Sequence, residues 1–298
     1  MNDLNPDPLL PAAEPVVPET RASAAFEMPV AAPGGLGDVP LRELPPDLRV
    51  PWGWIDLLWF LLFGVLSSMV LTWLVALAAM AIFHAPRPRL QAGDELSPTV
   101  LVIGQGLWSA AALLYLYAVV RVRSAEPFWR TIGWRELPGG EEAPGGVALR
   151  FVAGGSVMAI VVSVLGRFGG ENGELPIEKL FDSRFSVVML MALGILVAPL
   201  VEETIFRGFL YPLLARQFGV PAGIVVTGLV FGLMHAAQLW GGWVQIALLV
   251  LVGIVLSWVR AKTRTVAASY FVHLGYNSLL FLGFVIATGG LRHFTAGT

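Results

Sequence analysis

From residue 51 onward the chain alternates between long apolar runs and short polar connections. Seven runs stand out, over approximately residues 54–83, 99–120, 147–166, 186–215, 222–240, 243–260 and 267–288. Each suits a helix that crosses a bilayer, because about 20 residues at 1.5 Å rise span the hydrocarbon core and a helix satisfies its own backbone there. The run at 186–215 is long and holds Pro199, which predicts a kink, a tilt, or a break near Gly208. An eighth helix or re-entrant segment within 167–185 would also fit the pattern. The expected fold class is therefore all-α, a polytopic membrane helical bundle of about seven to eight transmembrane helices with a disordered N-terminal tail.

That tail is residues 1–50, which hold ten prolines and show neither a helical nor an alternating apolar period. The expected organisation is a proline-rich tail over 1–50 and a membrane domain over 51–298. The acidic start, Met1 to Asp7, does not read as a secretory signal, so the first span is expected to direct insertion. Trp52, Trp54, Trp59, Trp129, Trp134, Trp240 and Trp243 fall at run ends or in loops, where interfacial anchors are expected.

Composition sharpens this picture. The 298 residues are 56% hydrophobic and 13% charged, with mean hydropathy +0.73. The solvent for most of the chain is lipid. A formal net charge of −2, with basic residues scattered over loops, gives no footprint for nucleic acid. There is no cysteine, which excludes disulfides, thiolate metal sites and a thiol nucleophile. With seven spans, twelve Lys and Arg residues fall on the side of the N-terminus and six on the other, Arg207 lying within a run. The N-terminus is therefore expected to be cytoplasmic.

The ionisable groups inside apolar runs carry the chemistry. Glu202, Glu203 and Arg207 lie in the fourth run, His235 in the fifth, and His273 and Asn277 in the seventh. A charge at the centre of a membrane helix costs about 2.5–3.5 kcal/mol on insertion scales, so three need pairing or a function. Counting along each helix from its inner edge, Glu202 and His235 are each about 21 Å deep, Asn277 about 16 Å and His273 about 10 Å. Residues four apart are helical neighbours, which sets Glu203 over Arg207 and His273 over Asn277, while Glu202 points about 100° away from Glu203. Glu203 is then the ion-pair carboxylate, and Glu202 is free to face a cavity and take a proton from water. His235 could orient that water, and His273 and Asn277 could donate to an oxyanion. Such a set outlines peptide hydrolysis.

The motifs Glu202-Glu203-x-x-x-Arg207, Phe231-x-x-x-His235 and His273-x-x-x-Asn277, in this order on successive apolar runs, resemble those of the CPBP intramembrane proteases (CAAX protease and bacteriocin-processing, or Abi, family), which include type II CAAX prenyl endopeptidases. The resemblance covers about residues 186–285. It implies an all-helical membrane peptidase whose cavity opens toward the cytoplasm and the lateral membrane, with Glu202 activating water and Glu203, Arg207, His235, His273 and Asn277 completing the site. It implies membrane lipid and a peptide or membrane protein as partners, and no nucleic acid. Family members are described as metalloproteases, and Glu202, His235 and His273 could form a two-histidine, one-carboxylate site for a divalent metal such as zinc. The chain lacks His-Glu-x-x-His, and a Glu-activated water without an obligatory metal is the preferred reading. The short loops and tail look bacterial, so the expected location is a bacterial cytoplasmic membrane.

Two other classes remain open from sequence. A non-catalytic immunity or scaffold protein could keep the same fold and motifs. A proton-coupled transporter would also bury carboxylates and imidazoles, although no internal repeat supports it.

Overall fold

The apolar runs become helices close to their expected lengths. A computed structural model describes residues 43–83, 98–139, 143–169, 176 and 184–288, all within the unit Ala31–Thr298. The tail up to residue 42 and most of the 167–185 connection lie outside the described residues. The helices are α1 (Trp54–Phe83), α2 (Pro98–Arg123), the single turn α3 (Phe128–Thr131), α4 (Pro144–Gly166), α5 (Arg184–Ala192), α6 (Ala198–Glu203), α7 (Tyr211–Phe218), α8 (Val220–Met234), α9 (Trp243–Thr263) and α10 (Val266–Ala287). Among the described residues there is no strand. Among the described residues six helical stretches are long and apolar enough to cross a membrane, and Val220–Met234 is a shorter apolar helix. The all-α membrane-bundle expectation is borne out.

Local chemistry explains several boundaries. Asp56, in the first turn of α1, accepts from the Gly53 N–H at 2.9 Å and so caps an orphan donor; it also pairs with Arg123 at the end of α2. Thr265 caps α10 by accepting from the Ala267 N–H at 3.2 Å. α1 leaves Leu58, Val65, Met69 and Trp73 more than half exposed, as a lipid-facing helix does.

The expected distortion of the fourth run takes the form of two π-helical segments, Leu193–Val197 and Thr204–Leu210, which join α5, α6 and α7 into one continuous rod. In the first, the Ala198 N–H bonds to Leu193 O, five residues back; the next donor in that register would be Pro199, which has no N–H. In the second, Tyr211 bonds to Phe206 O, and the next residue is Pro212. Each wide turn thus runs up to a proline that strands a carbonyl instead of breaking the rod.

Helix pairs carrying glycine pack backbone to backbone. A Cβ added at Gly253 would meet Gly228 O at 2.7 Å, and one added at Gly232 would meet Val250 N at 2.8 Å, so α8 and α9 cross closely. Gly155 of α4 and Gly275 of α10 play the same part for that pair.

Residues 43–50, assigned to the tail by composition, lie against the bundle. Leu44 and Leu48 are buried with Tyr211, Ala215 and Ile224, and Asp47 pairs with Arg260 at 3.1 Å. Arg216 donates to Val50 O and Trp52 O, and Arg135 to Pro46 O. Trp52 is not an interfacial anchor: it is 1% exposed, stacks on Phe209 and donates its indole N–H to Phe209 O at 3.0 Å. Trp134 likewise donates to Thr204 Oγ1 at 3.1 Å. Both indoles grip the π segment beside the Glu pair, whereas Trp54, Trp59, Trp129, Trp240 and Trp243 are exposed.

Candidate functional site

The rod bearing the two glutamates separates them as the 100° offset predicts. Glu203 is fully buried, whereas the Glu202 side chain keeps 24% of its exposure and lines a cavity of about 760 Å³. Glu203 Oε1 accepts from Arg207 Nη1 at 2.9 Å. Arg207 donates through Nη2 to Gly253 O, also at 2.9 Å, and its guanidinium lies 4.5 Å from the Phe231 ring centroid. A buried cation is thereby matched by a carboxylate, a carbonyl and an aromatic face.

His273, 3% exposed, joins this network from α10, its Nδ1 3.0 Å from Glu203 Oε1. A carboxylate held by Arg207 accepts, so Nδ1 carries the hydrogen, and in the neutral ring the Nε2 lone pair is left facing Glu202 Oε2 at 3.7 Å.

His235 reaches the same carboxylate by another route. The expected helix over 222–240 ends at Met234, and His235 is its C-cap. The His235 backbone N–H turns to Gly232 O at 3.2 Å, while the ring Nδ1 takes Phe231 O at 2.8 Å. The side chain thus occupies the carbonyl that its own amide would have used to continue the helix. A carbonyl only accepts, so Nδ1 again carries the hydrogen, and Nε2 faces Glu202 Oε1 at 3.8 Å.

Asn277 lines the cavity with its Nδ2 donating to Gly194 O at 2.6 Å. Gly194 O is the carbonyl stranded by Pro199 in the first π segment, so the amide both heals the backbone and is fixed by it.

The structure therefore brings Glu202, Glu203, Arg207, His235, His273 and Asn277 together from the rod, the end of α8 and α10. Phe231 stands in the second motif but carries no role predicted from sequence; its ring packs on His235 (4.9 Å), His273 (5.8 Å) and Arg207. It is the apolar post against which both imidazoles are set. Gln105, Gln238 and Gln245 also line the cavity.

Among the described residues no three His, Cys, Asp or Glu side chains are grouped as a metal centre requires. Ligand atoms on a tetrahedral zinc with bonds of about 2.0–2.2 Å lie about 3.3–3.6 Å apart, whereas the Glu202 oxygens stand 3.7 and 3.8 Å from the two Nε2 atoms. The residues as placed do not fit the ion.

Fold and site together define an integral membrane protein, a helical bundle with a carboxylate–imidazole cluster in the wall of a partly open cavity. Residues 184–279, which contain all three motifs, match the family model described as "Type II CAAX prenyl endopeptidase Rce1-like". The chain is 20% identical over 195 residues, covering 63% of this chain and 76% of its counterpart, to "Putative membrane peptidase YdiL" of Bacillus subtilis (strain 168). No solved structure matches the chain. The resemblance carried by the motifs is borne out over that segment, and both descriptions are of peptidases.

Proposed function

We propose that the chain is an intramembrane endopeptidase that hydrolyses a peptide bond of a membrane-associated protein or peptide with water activated by Glu202. The observation that carries this reading is the gap around Glu202. Its two oxygens face two Nε2 lone pairs at 3.8 and 3.7 Å, too far for direct hydrogen bonds and suited to a bridging water.

A water in that gap donates one proton toward Glu202 and the other toward an imidazole, which leaves an oxygen lone pair for the substrate carbonyl. Glu202 takes the proton as the C–O bond forms, then passes it to the amine nitrogen as the C–N bond breaks. Asn277 keeps a second N–H beyond the one given to Gly194 O, and that N–H serves the oxyanion. Glu203 and Arg207 hold His273 in place. The Lys and Arg asymmetry of the loops puts the N-terminus on the cytoplasmic side of what we read as a bacterial cytoplasmic membrane.

The test uses the full chain in detergent with a library of membrane-associated peptides. The native protein is expected to cleave a subset, and Glu202→Gln to cleave none while melting at the native temperature, since Glu202 makes no short hydrogen bond that the fold would lose. Turnover by Glu202→Gln would remove the proposed base.

A further inference from the structure

Hydrolysis inside a membrane sets a demand that the reaction centre alone does not meet. A scissile amide becomes reachable only when the substrate segment is unwound, and each N–H and C=O freed from its helix then needs a partner. The cavity offers few. Its described walls hold no Lys, Arg or Asp, and much of the surface is Leu193, Leu248, Leu249, Leu280 and Phe281. Glu202, His235, His273 and Asn277 belong to the reacting atoms. Besides the hydroxyl groups of Ser68, Thr72, Ser163 and Tyr276, the same cavity carries three primary amides, from α2 (Gln105), the turn after α8 (Gln238) and the first turn of α9 (Gln245). Gln245 Oε1 is shielded from solvent and has no hydrogen-bond partner. A buried acceptor left unmatched is costly, and such groups usually have a reason.

We propose that Gln245 turns its unmatched amide into the cavity and, assisted by Gln238, binds the backbone of an extended apolar peptide beside the cleaved bond. A primary amide carries a donor and an acceptor in one plane, as a peptide unit does, so the two can pair. Recognition then falls on the unwound backbone, with the leucine walls taking apolar side chains on either side. The substrate class is a stretch of apolar residues able to leave its helix, without a charged side chain next to the cleaved bond. This inference rests on the hydrolytic reading above.

The experiment uses the full chain in detergent and an internally quenched peptide of Leu, Ala and Phe, with the backbone amides flanking the cleaved bond replaced one at a time by esters. An ester removes a single N–H donor. For the native protein, one ester position is expected to raise KM about five- to tenfold, the effect of one hydrogen bond. Gln245→Leu should raise KM for the all-amide peptide by the same factor and leave kcat within about twofold. In that variant the ester should cost nothing further, because its partner is already gone. The melting temperature should hold or rise, since an orphaned polar atom has been replaced by an apolar one. Gln238→Leu should show the same coupling at a different ester position. Unchanged KM in Gln245→Leu, or a full ester penalty persisting in it, would overturn the inference while leaving the peptidase reading intact. Absence of any cleavage by the native protein would sink both.

Discussion

His273 and Glu203 meet Nδ1 to Oε1 at 3.0 Å, on the same oxygen that accepts from Arg207, while Glu203 Oε2 is buried without a partner. One carboxylate oxygen therefore orients an imidazole and neutralises a guanidinium. The shared atom ties the state of the reaction centre to an ion pair that is itself fully buried.

That sharing predicts a split between stability and activity. Arg207→Leu leaves a buried carboxylate unpaired and is expected to cost about 3–5 kcal/mol. Adding Glu203→Leu removes the stranded charge and should restore most of the melting temperature. The double variant should remain inactive, because His273 has lost the acceptor that sets its tautomer. Melting curves and peptide cleavage on the three proteins test this. Recovery of cleavage with recovery of stability would show that the pair has no part in orienting His273.

Much of this arrangement was legible in the chain. A carboxylate at 202 and another at 203 must face different ways on any helix, and a pair at 203 and 207 must face together, so their division of labour follows from helical spacing. Three motifs carrying polar groups on three separate apolar runs pointed to the convergence. The end of α8 was hidden, because His235 stops its helix through a ring bond to Phe231 O that no periodicity announces. The π segments were half visible: the prolines marked the place, but the healing of Gly194 O by Asn277, 83 residues away, is a tertiary fact. The packing of residues 43–50 was invisible for a related reason. Pro45, Pro46 and Asp47 carry the composition of a linker, and only the distant Arg260 gives Asp47 a place to go.

The metal question has a direct measurement. Chelation of the purified protein with EDTA, followed by dialysis, is expected to leave cleavage unchanged, as no described group has metal-ligand spacing. Loss of cleavage restored by zinc would mean that Glu202, His235 and His273 close by a few tenths of an ångström around an ion, and the water-bridge account would fall.

Asp47 and Arg260 make a second buried pair, with Arg260 1% exposed, held by Asp47 Oδ2 at 3.1 Å and Asp47 O at 3.4 Å. Asp47→Ala removes the charge partner but keeps the backbone acceptor and the Tyr211 ring 5.5 Å from the guanidinium. A destabilisation of about 3 kcal/mol, the low end for a stranded buried charge, is expected. Asp47→Asn should fall in between. An unchanged melting temperature in Asp47→Ala would show that this ion pair adds nothing to the stability of the fold.

The most stringent test of the geometry sits between His273 and Asn277. Gly275 faces α4 so closely that an added Cβ would come within 2.9 Å of Val152 Cα and collide with its carbonyl. Alanine is normally favoured over glycine in a helix by about 0.5–1 kcal/mol, yet here it must push α10 away from α4. The overpacking cost is about 1–3 kcal/mol or more, so the net sign is reversed. His273 reaches Glu203 and Asn277 reaches Gly194 from the same helix, and a shift of about 1 Å would open both bonds; displacement of that size can cost about a hundredfold in rate. Gly275→Ala is therefore expected to melt lower and to lose cleavage together. Gly283, on the same helix with nothing within 4 Å of an added Cβ, supplies the control: Gly283→Ala should melt at or above the native temperature and cleave normally. If both variants behave alike, close packing of α10 on α4 does not set the position of the site.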